Sequence, residues 1–132
     1  MMDFFDAMAA LNDMLAEAVS SGDSPLAIAI VNEDGDLMSY VRMDEAPPYA
    51  EKESVELAQM ARKYGVDLQG RATDLDVALL AELPRPSAVV VRESGVVIGA
   101  IGVSGGLTSR NELIARRGLS AFAKASAMRT NQ

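Results

Sequence analysis

The sequence predicts an α+β fold built on an antiparallel sheet, and three features predict it. Residues 26–43 and 88–103 each read as strand, turn, strand, helical periodicity occupies both ends of the chain, and the order is helix, hairpin, helices, hairpin, helix. Single strands do not alternate with single helices, as a parallel sheet requires. One domain covers residues 1–132, because a chain of this length with 49% hydrophobic and 23% charged residues buries a sufficient core without disulfide or metal.

Phe4, Met8, Leu11, Leu15 and Ala18 recur at helical spacing, with Asp3 placed to cap the first turn and Gly22 to end the last. The spacing predicts an amphipathic first helix with those five residues on its core stripe. Residues 26–31 form an apolar run in which Leu26, Ile28 and Ile30 alternate with Ala27 and Ala29. Asn32-Glu33-Asp34-Gly35-Asp36 supplies turn chemistry, and residues 37–43 return as the second strand. Alternation places Met38, Tyr40 and Arg42 on one side and Leu37, Ser39, Val41 and Met43 on the other. Arg42 thus emerges beside a tyrosine, available to an anion or to an ion pair with Asp44.

Ala46-Pro47-Pro48 interrupts regular structure, and Ser54, Leu57, Ala58, Ala61 and Tyr64 then mark a second helix across the sheet. Gly65 suits its left-handed C-terminal cap. Thr73 and Asp76 open a short third helix carrying Val77, Leu79, Leu80 and Leu83, which Pro84 and Pro86 stop. Residues 88–91 and 96–103 pair around Arg92-Glu93-Ser94-Gly95. Ser109 and Glu112 have capping-box spacing at the start of a final helix. Its stripe of Ile114, Gly118, Ala121 and Ala125, flanked by Phe122, sets Gly118 against the glycine-bearing strand.

That strand is the centre of the chain: Ser94-Gly-Val-Val-Ile-Gly-Ala-Ile-Gly-Val-Ser-Gly-Gly106. Gly99 and Gly102 weaken a strand, so each marks a close approach to the backbone, by a helix or by a ligand. Gly105 and Gly106 lead into the last helix, and a glycine loop at a helix N-terminus offers N–H donors to a carboxylate, phosphate or carbonyl oxygen. A tight, purely structural connection is the alternative. The glycine spacing matches neither the P-loop nor the dinucleotide fingerprint.

Inventory excludes several chemistries. With no His and no Cys, imidazole bases, Ser-His-Asp triads, thiolate nucleophiles and His- or Cys-ligated metals are absent. A net charge of -7 opposes nucleic-acid and anionic-membrane partners. Residues 1–60 hold 13 acids and 2 bases, and residues 110–132 hold five bases and one acid, so the end helices are expected to complement each other. The opening Met-Met-Asp-Phe-Phe-Asp has no basic n-region or long apolar core, which predicts a cytoplasmic protein.

Residues 8–122 resemble the GlcG/HbpS-like haem-binding proteins, whose domain also forms the C-terminal part of PduO-type corrinoid adenosyltransferases. The resemblance is carried by Ala29-Ile30-Val31 before Asp34-x-Asp36-Leu37, by Arg42-Met43-Asp44-x-Ala46-Pro47, and above all by the run from Gly95 to Gly106. It implies a profilin-like sandwich of a five-stranded antiparallel sheet flanked by helices, assembled as a homo-oligomer, from dimer to octamer. It also implies haem or a corrinoid as ligand. The sequence departs from the family pattern at Leu57-Ala58, where a Lys-Ala pair is usual, at Pro86-Ser87 in place of Gly-Gly, and at Asn111-Glu112 in place of Asp-Glu. The axial ligands left for haem are Tyr40, Tyr49, Tyr64 and methionines.

The expected function is binding of a small anionic or carbonyl-containing metabolite by Arg42, Asp44, Gly102, Ser104, Gly105, Gly106, Asn111 and Glu112. Three alternatives stand beside it. One is a cofactor-independent lyase, isomerase or hydrolase-like enzyme using Asp44, Glu112 or a tyrosine beside Ser104. The others are the haem- or corrinoid-binding protein that the resemblance implies and a structural subunit without a ligand.

Overall fold

The computed structural model describes residues 1–69 and 85–130. Eight elements follow in order: α1 (Phe4–Ser20), β1 (Ala27–Asn32), β2 (Leu37–Arg42), α2 (Ala50–Tyr64), β3 (Leu68–Gln69), β4 (Ser87–Glu93), β5 (Val96–Ser104) and α3 (Thr108–Thr130). The short helix expected after Thr73 lies outside the described residues. The strands form one antiparallel sheet in the order β2-β1-β5-β4-β3, so both expected hairpins exist and β5 joins them at the centre. The two-residue strand β3 has no periodicity of its own and exists only through its pairing with Ala88 and Ser87.

Helices cover both faces. Against one face, α1 and α3 bury Met14, Ile28, Ile30, Val89, Ile101, Val103 and Ile114. Against the other, α2 lays Ala58 and Ala61 on Val31, Ala88, Val90 and Ala100. Small residues fill this second layer because α2 runs very close to the sheet. A Cβ on Gly102 would stand 2.1 Å from the carbonyl oxygen of Ser54. Thus the close approach that Gly102 signalled is made by a helix. Gly118 plays the equivalent part on the opposite face, where a Cβ would meet Ile101 Cδ1 at 2.6 Å and Met14 Sδ at 2.7 Å.

Local signals hold at most element ends. The Asp3 carboxylate accepts from the N–H groups of Phe5 and Asp6, and Gly65 closes α2 in the left-handed region. The β4–β5 turn places Ser94 and Gly95 at positive φ, as a two-residue hairpin turn twisted to match its strands requires.

Three expectations are corrected. First, the buried stripe of α1 is Ala7, Ala10, Met14 and Ala18, while Phe4 and Met8 are exposed. The helix carries two apolar faces, and the tight seam with α3 accepts the one with smaller side chains. Second, an irregularity between Ile30 and Val31 inserts Met38 as an extra residue, so Met38 packs with Val41 and Met43 instead of lying beside Tyr40. Third, α3 starts at Thr108, one residue before the predicted cap, which puts Ser109 inside the helix. Ser109 and Glu112 do not form a capping box.

Candidate functional site

The register of β1, β2 and β5 fixes one polar corner of the sheet. Ala27 stands between Arg42 and Ser104, and Ala29 stands between Tyr40 and Gly102. Side chains at these positions share the face covered by α2. The two alanines keep the floor shallow, with Tyr40 and Arg42 on the β2 side and Ser104 on the β5 side. Ala46 and Ala50 complete a small apolar cluster with Ala27 and Tyr40.

Each polar group in the corner is set by a different constraint. Ser104 is fully buried, and its hydroxyl donates to Glu53 Oε1 at 2.8 Å, tying the end of β5 to the first turn of α2. Arg42 donates through Nη2 to the Ala46 carbonyl. That bond holds the bend after β2, where Glu45 occupies the left-handed region at φ 67, a costly conformation for a side-chain-bearing residue. No ion pair joins Arg42 to Asp44 among the described residues; Asp44 is exposed beside the bend. The Tyr40 hydroxyl is buried and has no hydrogen-bond partner among the described residues. Burial pushes its phenol above the ordinary tyrosine range, Glu51 adds to the rise, and Arg42 opposes it.

The glycine loop forms a second, closed unit. Gly105 sits at φ 107, and a Cβ there would lie 2.9 Å from the Pro25 carbonyl oxygen and 3.2 Å from Pro47 Cδ. The Gly106 N–H donates to Asn111 Oδ1 at 3.1 Å. Asn111 is fully buried, and its Nδ2 donates to the carbonyl oxygens of Arg85 at 2.8 Å and Gly106 at 3.0 Å. The side chain thus latches the loop to the segment entering β4. Glu112 belongs to a third group, accepting from Gln69 Nε2 at 3.1 Å and pairing with Arg116 Nε at 3.2 Å.

Of the eight candidate residues, Arg42, Gly102 and Ser104 share one face, Gly105, Gly106 and Asn111 share the latch, and Asp44 and Glu112 join neither. Sequence reasoning missed Glu53. Its contact with Ser104 spans 51 positions and leaves no local pattern, the only hint being an acid in the first turn of a helix expected across the sheet.

The described surface also carries a groove of about 530 Å³ between α3 and the β4–β5 hairpin, floored by Val91, Ile98, Leu119 and Phe122. No group of three or more Asp, Glu, His or Cys able to hold a metal occurs among the described residues. No described helix is long and apolar enough to cross a membrane.

Comparison with known proteins gives a family and a fold. A family model described as haem degrading protein HbpS-like matches residues 2–120. Among solved structures, the protein ORFY of Klebsiella pneumoniae superposes with a TM-score of 0.73 at 20% identity, over 92% of this chain and 90% of that one. PduOC in its haem complex gives 0.71 at 17% identity, over 91% and 94%. A double mutant of Streptomyces reticuli HbpS gives 0.71 at 18% identity, over 91% and 86%. No curated protein sequence matches the chain.

Proposed function

The chain belongs to the HbpS-like family, and on that premise we propose that it is a small-molecule-binding protein whose ligand presents a carboxylate or carbonyl oxygen to the polar corner of the sheet. The buried, unpartnered hydroxyl of Tyr40 is the observation that carries this reading. A buried donor without an acceptor is costly, and such groups are normally satisfied by protein, water or a ligand. Tyr40 supplies an O–H and Arg42 a fixed positive charge on the same face, while the Ser104 hydroxyl is spent as a donor to Glu53. An oxyanion is the complement of that set. Binding of this kind requires no acid or base. The catalytic alternative relies on Ser104, whose hydroxyl is engaged by Glu53.

Haem is the ligand bound by the PduOC relative in its complex, but the donors described here fit it poorly. The groove of about 530 Å³ is lined by no phenol or thioether, and the sequence contains no imidazole or thiol. Tyr49 and Tyr64 lie on the surface, outside that groove.

Calorimetric titration with hemin and with a panel of small mono- and dicarboxylates tests the proposal. A carboxylate is expected to bind saturably, and Tyr40→Phe is expected to weaken it about 10-fold, the effect of one hydrogen bond to a charged acceptor. Saturable carboxylate binding that Tyr40→Phe and Arg42→Gln leave unchanged would place the ligand elsewhere. Stoichiometric hemin binding without carboxylate binding would replace the ligand class.

A further inference from the structure

A second polar recess lies where the last turn of α2 meets the β1–β2 turn, away from the Tyr40 corner. It measures about 380 Å³ and is lined by Asp34, Gly35, Gln59, Arg62, Lys63 and Tyr64, among others. Arg62 lies across the turn, its Nη2 3.1 Å from the point where a Cβ on Gly35 would stand. Gly35 is required there twice over, since it also turns the chain at φ 82. The Nε of Arg62 is buried and has no hydrogen-bond partner among the described residues.

Among the described residues nothing serves as its acceptor. The nearby Gly35 carbonyl already accepts from Gln59 Nε2 at 3.1 Å. Asp34 lines the recess without pairing to Arg62. Among the described residues the Nε of Arg85 is likewise buried without a partner, at the entry to β4, whereas Arg42 and Arg92 donate to the carbonyls of Ala46 and Gly65, and Arg110, Arg116, Arg117 and Arg129 all meet carboxylates. Basic residues in a final helical turn complement the helix dipole. The dipole explains the charge at Arg62 and Lys63, but it leaves a desolvated Nε without an acceptor.

We propose that Arg62 and Lys63 form a binding site for a phosphoryl group, either free phosphate or a phosphate monoester. A guanidinium fork beside an ammonium group matches a tetrahedral dianion in charge and in number of donors, whereas a single carboxylate uses only the fork. The exposed side chains of Met60 and Tyr64 border the recess and offer an apolar contact for the organic part of a monoester.

The test is nuclear magnetic resonance of the arginine Nε–H groups and of the backbone amides lining the recess, titrating inorganic phosphate, phenyl phosphate and acetate at constant ionic strength. The Arg62 resonance is expected to shift saturably with phosphate, and acetate is expected to bind at least 5-fold more weakly. Arg62→Gln is expected to weaken binding at least 10-fold and Lys63→Gln about 3-fold. Lys52→Gln, which removes the same charge near the other end of α2, is expected to change it less than 2-fold. Tighter binding of phenyl phosphate identifies a monoester site, and equal binding identifies a phosphate site. Absence of a saturable shift at Arg62, equal affinity for acetate, or equal losses in Lys52→Gln and Arg62→Gln would overturn the proposal. Should Arg62→Gln fail to fold, Arg62→Lys keeps the charge and removes the fork, and undiminished phosphate binding in that variant would overturn it equally.

Discussion

The amide of Asn111 is used at both ends: its oxygen accepts from one main-chain N–H, while its nitrogen donates to two main-chain carbonyls, all without solvent contact. An ionised carboxylate supplies the acceptor but not the donor, and turns negative charge toward two carbonyl oxygens. Asn111→Asp is therefore expected to lower unfolding free energy at neutral pH by about 2–4 kcal/mol. Its folded-state carboxyl pKa rises above the unfolded value, so the charge-linked loss is complete above the folded-state pKa and is relieved as pH falls from there to the unfolded pKa. Denaturant melts at pH 7 and pH 4 check this, and equal stability of variant and parent at pH 7 would show that the donor is dispensable. Tyr40 obeys the same sign rule. Its raised pKa contributes stability that is present below about pH 10 and is lost as pH climbs through the folded-state value.

At the scale of elements, two glycines on β5 and α3 set how closely the layers pack, and their neighbours differ in kind. An added methyl at Gly102 meets the main-chain oxygen of Ser54, which moves only if α2 lifts off the sheet. At Gly118 it meets the ends of Ile101 and Met14, which have rotameric freedom, and alanine also improves helix propensity by about 1 kcal/mol. Gly102→Ala is expected to cost about 3 kcal/mol and Gly118→Ala about 1 kcal/mol. Thermal or denaturant unfolding of the two variants gives the ranking, and a larger loss at Gly118 would contradict the distinction between main-chain and side-chain obstruction. The sequence marked both residues as points of close approach. It did not separate helix from ligand at Gly102, because a missing side chain records the space and not its occupant.

Across the whole molecule, the uneven charge distribution becomes a seam between the end helices. Arg117 pairs with Asp13 at 3.1 Å and Glu17 at 3.5 Å, while Arg110 meets Asp23 at 2.6 Å through Nε and 2.9 Å through Nη2. The Asp23 side chain is only 5% exposed and that of Asp13 is 39% exposed. Removing Asp23 strips a desolvated acceptor from a bidentate pair, whereas an exposed pair is screened by water and salt. Asp23→Ala is therefore expected to lower the unfolding midpoint more than Asp13→Ala, with the difference persisting in high salt. Equal shifts, or a difference that salt abolishes, would reduce the Asp23 contact to an ordinary surface pair.

Both hairpins, the Asp3 cap, the Gly65 stop and the acidic–basic division of the chain were legible from residue order alone, because turn geometry, capping and periodicity depend on neighbours within a few positions. Which apolar face of α1 is buried, the displacement of Met38, and the true start of α3 depended on what each segment packs against. The same holds for the site. The sequence marked Arg42 and Ser104, but bonding Ser104 to Glu53, leaving Tyr40 without a partner and closing Asn111 over the glycine loop are tertiary outcomes. Those contacts join residues brought together only when the sheet takes the order β2-β1-β5-β4-β3, and contacts across that distance leave no periodic trace in the chain.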